Sequence, residues 1–411
     1  MSLAAQEKMI NIMQIKLFCQ IAHRGSISRA ADDLFRTQSA VTRAMHDLET
    51  ELAVTLYERH YNGMVLTEYG KRLLPRAQTA VADLQAIPAL LSKLKDKAVM
   101  VREPTEPVWL FQTRRLEIFL RLYKMNHTRT VAEQLHITQP AVSAALKVLE
   151  KGAGMPLFRR TPEGVKPTIA ADMIYPNISR AMNELEHIRD DIAACNGLLT
   201  GHVRIGALPL SRSQILPQAI AAFQSRHPAI TIKTNESPYD VLLAELRAGD
   251  IDFIIGALRN QEVNADINSE VLFQEEIIIT ARAGHPLVSS YRHPDDLQQV
   301  KWVLPRSQTP ARHSLENAFA AIGIAPPEPL VETGDAAMVR GLLLHSDMLA
   351  VVSSTQMAYE LENGILAVVP VALPNTRRGI GITQRASGLL TPAAEALLEE
   401  IRRNTHDANK K

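Results

Sequence analysis

The chain has 411 residues, of which 46% are hydrophobic and 22% charged, and its formal net charge is +1. This apolar content supports several globular cores and excludes a disordered or fibrous chain. The two cysteines, Cys19 and Cys195, show no CxxC spacing, so neither a disulfide framework nor a metal site is expected. There is no basic-then-apolar leader and no apolar run near the roughly 18 residues of a membrane span, so a soluble, cytoplasmic protein is expected.

Along the chain the charge is uneven. Residues 1–97 carry 13 Lys/Arg against 10 Asp/Glu, residues 98–196 carry 13 against 11, and residues 197–411 carry 19 against 23. A mildly basic front half suits phosphate contact. A first helix is predicted over 13–23, broken at Gly25, with Ser26 capping a short second helix through Ala30, Ala31 and Leu34. The third starts at Thr37 (TQSAVTRAMHDLE). Val41, Ala44, Met45 and Leu48 recur there at the three-and-four spacing of one buried face, which leaves Gln38, Ser39, Thr42, Arg43 and His46 on the other. Amides, hydroxyls and cations on an exposed helix face are groups that meet base edges and phosphates. Taken alone, the stretch is equally an ordinary amphipathic surface helix. Residues 56–66 (LYERHYNGMVL), including Arg59, alternate about a turn at Asn62 and Gly63 like a two-stranded wing. Together these elements predict a winged helix-turn-helix. A long amphipathic helix follows from Thr67, interrupted or kinked at Pro88, and its apolar stripe needs a partner.

Residues 99–113 (VMVREPTEPVWLFQT) hold two prolines and no glycine, consistent with a short, stiff connector. Then the pattern restarts. TQPAVSAALKVLE lies 101 positions after the first copy, and the offset persists without a gap: Leu56, Arg59, Gly63 and Thr67 match Leu157, Arg160, Gly164 and Thr168. A whole domain is duplicated. The second copy predicts helices over 114–124 and 130–135, then a recognition helix capped by Thr138 that exposes Gln139, Pro140, Ser143, Ala144 and Lys147. Pro140 is tolerable in the first turn. A wing over 157–167 carries Arg159, Arg160 and Lys166, and a long helix runs from Thr168 to about Cys195. Ala144 replaces Arg43, Pro167 replaces Leu66 and Ala171 replaces Gly70. The second copy therefore differs in what it reads, or has become a spacer or dimerisation element.

From Gly197 onward, strands alternate with helices. GHVRIGAL, ITIKTN and DFIIGAL form one set, WVLP, PLVE and LAVV a second, and RRGIGITQ with a helix from Pro392 closes the chain. Two lobes, each a mostly parallel sheet covered on both faces, are predicted with a cleft between them. Ligands in such folds sit beyond the carboxyl ends of the strands. Those positions are Leu208, Pro209, Leu210, Ser211, Arg212 and Ser213; Gly256 and Ala257; Arg306, Ser307, Gln308 and Thr309; Thr333, Gly334 and Asp335; and Ser353, Ser354 and Thr355. Ser and Thr at such turns are more often helix caps than ligand contacts. Arg306 follows an apolar strand and is a candidate anion clamp, or else a solvated rim charge.

The order of winged module, long helix and two-lobed domain, with TQSAVTRAMHDLE, LYERHYNGMVLTEYG, GHVRIG, AGDIDFIIGA and AGHPL, resembles the LysR-type transcriptional regulators over nearly the whole chain. The region of WVLPRSQTPAR is most similar to the galactose-binding-protein-regulator branch. An ordinary member has one DNA-binding module, whereas this chain has two. The resemblance implies a multidomain fold: two α-rich winged helix-turn-helix domains with long linker helices, then a two-lobed α/β domain like a type 2 periplasmic binding protein. The expected boundaries are 12–67, 68–97 for the first linker helix, 98–113 for the connector, 114–168, 169–196 for the second linker helix, and 197–405. Lobe I spans about 201–283 and 376–405, and lobe II about 284–375. The implied partners are double-stranded DNA, a small effector such as an organic anion or sugar-like metabolite, a second copy in a homodimer or homotetramer, and RNA polymerase. No membrane, metal or cofactor is expected. The rivals are a metabolite-binding enzyme and a solute-binding protein on the same bilobal fold. The chain lacks a GxSxG elbow, HExxH and GxxxxGK[ST].

Overall fold

The computed structural model describes residues 9–61, 63–94, 106–259 and 265–408. Capping side chains set the boundaries of the front half. Asn11 accepts from the N–H of Met13 to open α1 (Ile12–Arg24), which ends at Gly25 in the left-handed region. Ser26 caps α2 (Ile27–Asp33), and Thr37 caps α3 (Gln38–Leu52). Strands β1 (Tyr57–His60) and β2 (Gly63–Leu66) pair antiparallel, and Thr67 caps α4 (Glu68–Ser92). Pro88 does not interrupt α4, and the expected turn residue Asn62 lies outside the described residues.

The second copy repeats these elements: α5 (Thr113–Met125), α6 (Thr128–Gln134), α7 (Gln139–Ala153), β3 (Phe158–Thr161), β4 (Gly164–Pro167) and α8 (Ile169–Cys195). Its internal bonds repeat as well. Glu49 Oε1 accepts from the N–H groups of Leu56 and Tyr57, and Glu150 Oε1 from those of Leu157 and Phe158, so each third helix holds the entry to its own ladder. The far end of each ladder lies on the end of the first helix: Met64 N–H donates to Gly25 O, and Val165 N–H to Asn126 O. Gly63 (φ 124°) and Gly164 (φ 130°) make that approach possible, because a Cβ at either would overlap the carbonyl oxygen.

Helices α4 and α8 pack antiparallel. Arg76 of α4 donates to Glu184 Oε2 (2.5 Å) and Asp191 Oδ2 (2.7 Å) of α8, and Asn177 of α8 donates to Asp83 Oδ1 (3.1 Å) of α4. Around them Leu73, Ala77, Ala80, Leu84 and Ile87 share one buried core with Ile174, Ile178, Ala181, Leu185 and Ile188. The unpartnered stripe of each helix is thus covered by the other. Part of the connector also joins this core. Leu110 and Phe111 are buried, and Lys16 sits 4.3 Å from the centre of the Phe111 ring. Residues 95–105 lie outside the described residues.

The chain divides into two compact units, one running to Gly201 with Arg247–Asp250, the other comprising His202–Leu246 and the residues from Ile251 onward. The second unit holds two five-stranded sheets. The first sheet contains β5 (His202–Ala207), β6 (Thr231–Asn235), β7 (Phe253–Ala257), β8 (Ile267–Glu275) and β14 (Arg378–Arg385), in the order β6-β5-β7-β14-β8. The second contains β9 (Ile277–Arg282), β10 (Trp302–Leu304), β11 (Val331–Glu332), β12 (Leu349–Ser353) and β13 (Leu366–Val368), in the order β11-β10-β12-β9-β13. Helices α9 (Ile215–Arg226), α10 (Tyr239–Ala248) and α15 (Pro392–Ala408) belong with the first sheet; α11 (Pro286–Ser290), α12 (Pro310–Ala321), α13 (Ala336–Leu344) and α14 (Ala358–Glu362) with the second.

Two sequence expectations need correction here. Each sheet is mixed: β5, β6 and β7 are parallel, as are β10, β11 and β12, but β14, β8, β9 and β13 join antiparallel. The lobe boundary also moves from 283 to Glu276, because β8 and β9 are nearly one extended run that changes sheets there. The continuous apolar character of WVL and LAVV has a simple cause. Trp302, Leu304, Leu349 and Val351 face a core on one side of the second sheet, while Val303, Ala350 and Val352 face a core on the other.

Candidate functional site

On α3, Val41, Met45 and Leu48 are buried, and the helix is thereby fixed in rotation. Gln38, Ser39, Thr42, Arg43 and His46 line one open concave patch, all of them exposed. Thr37 caps the helix and Thr42 donates to Gln38 O, so two of the predicted hydroxyls also serve the backbone. Arg59 is exposed on β1, beside Glu58 and His60. Two groups that the sequence analysis missed stand out. Phe35, in the turn before α3, is 97% exposed with a positive φ of 51°, and Tyr61, at the tip of the β1–β2 turn, is 98% exposed. Their signal was an aromatic in a turn, where burial gives it no reason to be.

On α7, Gln139, Pro140, Ala144 and Lys147 are exposed and Ser143 is half-buried. Thr138 caps the helix, and Gln139 donates to Thr128 Oγ1 at 2.9 Å, so this amide is partly engaged where Gln38 is not. Arg159 and Arg160 are exposed on β3, and Lys166 on β4 lies 3.4 Å from Glu163.

In the second unit the predicted positions disperse. Pro209, Arg212, Ser213, Asp335 and Thr355 line a cleft of about 670 Å³ between the lobes, with Arg340, Tyr359 and Glu360. Gly334 faces Pro209 across it. Several of the predicted positions also serve the backbone or the core. Ser211 is fully buried with its hydroxyl on Leu208 O, Leu208 and Gly256 are buried against each other, and Ser353 donates to the buried Glu275. Ala257 is half-buried beside them. Thr309 caps α12, Thr333 Oγ1 accepts from Asp335 N–H, and the Asp335 carboxylate caps α13. Arg306 and Ser307 are exposed, and neither lines the cleft.

Arg259, which carries no local sequence signature, reaches from one lobe to the other without lining this cleft, where the cations are Arg212 and Arg340. Arg259 Nη1 donates to Gln308 O at 3.0 Å, and its guanidinium carbon lies 4.8 Å from the centre of the Tyr239 ring. Burial pushes its pKa below the usual arginine range, and its Nε is buried without a partner. Glu275, at the end of β8, accepts from Arg378 Nη2 at 2.6 Å at the start of β14, so one ion pair ties these two paired strands. Among the described residues there is no cluster of His, Cys, Asp and Glu suited to a metal ion, and no helix long and apolar enough to cross a membrane.

Residues 12–71 and 113–172 each match the family described as "Bacterial regulatory helix-turn-helix protein, lysR family", and residues 196–405 match the "LysR substrate binding domain". The chain belongs to the LysR family. It is 50% identical to the HTH-type transcriptional regulator GalR of Pseudomonas putida over 95% of this chain and 96% of that one. It is 28% identical to the regulator PcaQ of Agrobacterium fabrum over 70% of this chain and 93% of that one, and 26% identical to the regulator GbpR of Azospirillum brasilense over 70% and 85%. The fold is similar to that of full-length OxyR of Pseudomonas aeruginosa (TM-score 0.56, 23% identity, 71% of this chain and 94% of that one). It is also similar to CbnR (TM-score 0.53, 18% identity, 72% and 99%). This LysR-family protein is therefore a DNA-binding transcriptional regulator with an effector-binding domain, and not an enzyme or a transport-type solute-binding protein.

Proposed function

We propose that this regulator grips DNA with two winged helix-turn-helix heads carried by one chain and paired through α4 and α8. The observation that carries the reading is this pair, whose buried ion pairs join the two copies while the polar faces of α3 and α7 stay in solvent. Gln38, Ser39, Thr42, Arg43, His46 and Arg59 serve the first head, and Gln139, Pro140, Ser143, Lys147, Arg159, Arg160 and Lys166 the second. Because α4 and α8 cover one another, association of chains into a homodimer or homotetramer falls to other surfaces, and a homodimer presents four heads.

The effector is an organic anion or a sugar-like metabolite held between the lobes. Arg259 takes over from Arg306 as the group that meets a carboxylate, since it is the half-buried one. Effector binding shifts the population of lobe arrangements, and with it the contacts to DNA and to RNA polymerase. The setting is the bacterial cytoplasm. The test is the length of DNA protected at saturation, compared with a one-module relative and with two paired variants, Gln38→Ala with Arg43→Ala and Gln139→Ala with Lys147→Ala. Loss of protection at two adjacent places, one for each pair, is expected. Protection no longer than that of the one-module relative, unaffected by the second pair, would leave the second copy as a spacer.

A further inference from the structure

We infer that the two heads divide the work: the α3 head selects the sequence and the α7 head holds the backbone, so the operator is an unequal pair of half-sites. The inference rests on the proposal that both heads contact DNA. It comes from comparing equivalent positions, 101 residues apart, on two helices with matching caps and matching buried faces.

On α3, Arg43 is an exposed guanidinium with no ion pair among the described residues, and it shares its concave patch with His46 and Gln38. A planar fork of this kind bonds guanine O6 and N7 together, and an amide does the same for adenine N6 and N7. At the equivalent places α7 offers Ala144, which has only a methyl group, Lys147, which is a point charge, and Gln139, already bonded to Thr128 Oγ1. The groups able to tell one base pair from another are therefore concentrated on the first head.

The ladders differ in the opposite sense. Glu58 on β1 places an acid where β3 has Arg159, and Val65 on β2 stands where β4 has Lys166. The first ladder has Arg59 against Glu58, whereas the second has Arg159, Arg160 and Lys166 against Glu163. Cations on a wing meet phosphates, whose spacing is the same for every sequence. Exposed Phe35 and Tyr61 give the first head large aromatic contact surface where the second has His136 and Pro162.

The experiment is selection of bound duplexes from a random-sequence pool by the full chain, followed by anisotropy titrations of the selected duplex across several salt concentrations. One half-site should be strongly defined, with single base-pair changes costing roughly tenfold to hundredfold in affinity, and the other weakly defined. Arg43→Ala should flatten the strong half-site and leave the salt dependence nearly intact. Arg159→Ala with Arg160→Ala should weaken all sequences alike and lower the slope of log affinity against log salt by about two. Two half-sites of equal definition within a protected stretch spanning both heads would overturn the division of labour and leave tandem binding standing. Protection limited to one head would remove tandem binding itself.

Discussion

Ile12 donates its backbone N–H to Thr113 Oγ1 at 2.9 Å, and the two residues occupy the same position in the two copies. Thr113 Oγ1 in turn donates to Ile10 O. Contact between equivalent residues occurs where a local two-fold axis passes, so the copies face each other as the halves of a symmetric dimer do. The symmetry fails in the charges. Arg76 is equivalent to Asn177, and Asp83 to Glu184, so one side carries the buried Arg76–Glu184 ion pair, while on the other Asn177 bonds an Asp83 carboxylate that also pairs with Arg180, whose equivalent is Thr79.

That asymmetry predicts unequal costs. Arg76→Ala removes the buried cation that the carboxylates of Glu184 and Asp191 share, a loss expected to destabilise the front unit by about 3–5 kcal/mol, whereas Asn177→Ala should cost about 1–3 kcal/mol. The measurement is urea unfolding of the full chain followed by Trp109 fluorescence in a Trp302→Phe background, since the chain has two tryptophans. Equal costs would mean that the ion pair contributes nothing beyond the amide–carboxylate hydrogen bond.

Gly152 on α7 lies under the Trp109 ring, which a Cβ would overlap. Alanine gains about 1 kcal/mol of helix propensity there, but the overlap costs about 1–3 kcal/mol. Gly152→Ala is therefore expected to be neutral or destabilising and to shift Trp109 emission toward the solvent-exposed value. A gain in stability with unchanged emission would show that the ring does not rest on α7.

The two thiols should differ. Burial pushes the Cys19 thiol up to about 12, while Cys195 is exposed. In native protein at pH 8, a thiol reagent should modify Cys195 promptly and Cys19 only after unfolding. Because the folded value of Cys19 is raised, its contribution to stability is whole below the unfolded thiol range near 8.5 and declines as pH climbs from there toward 12. Rapid modification of both thiols would refute the buried setting.

For the effector, Arg259→Ala is expected to abolish the response to inducing metabolites while DNA affinity without effector stays within about threefold, a change of roughly 0.7 kcal/mol. Arg306→Ala should leave both nearly unchanged. A reporter fusion with each variant distinguishes them, and loss of response in Arg306→Ala alone would return the anion contact to the exposed loop.

Much of this architecture was legible in the chain. The gapless 101-residue offset gave away the duplication, and the three-and-four spacing of Val41, Met45 and Leu48 fixed which face of α3 is exposed. The crossing of β8 into β9 was not legible, because Glu276 interrupts an extended run without any turn residue. Arg259 was hidden for a related reason: its role depends on the approach of Gln308 from the other lobe, a contact with no local signature. The burial of Leu110 and Phe111 likewise depends on partners far away in sequence.

The antiparallel pairing of α4 with α8 has a consequence for how the regulator responds to its own abundance. Where two heads sit on separate polypeptides, their union depends on how many copies a cell holds. Two heads on one polypeptide meet at an effective concentration on the order of millimolar, whatever the copy number. A cell with very few molecules therefore still has fully assembled pairs, and dilution at cell division does not part them.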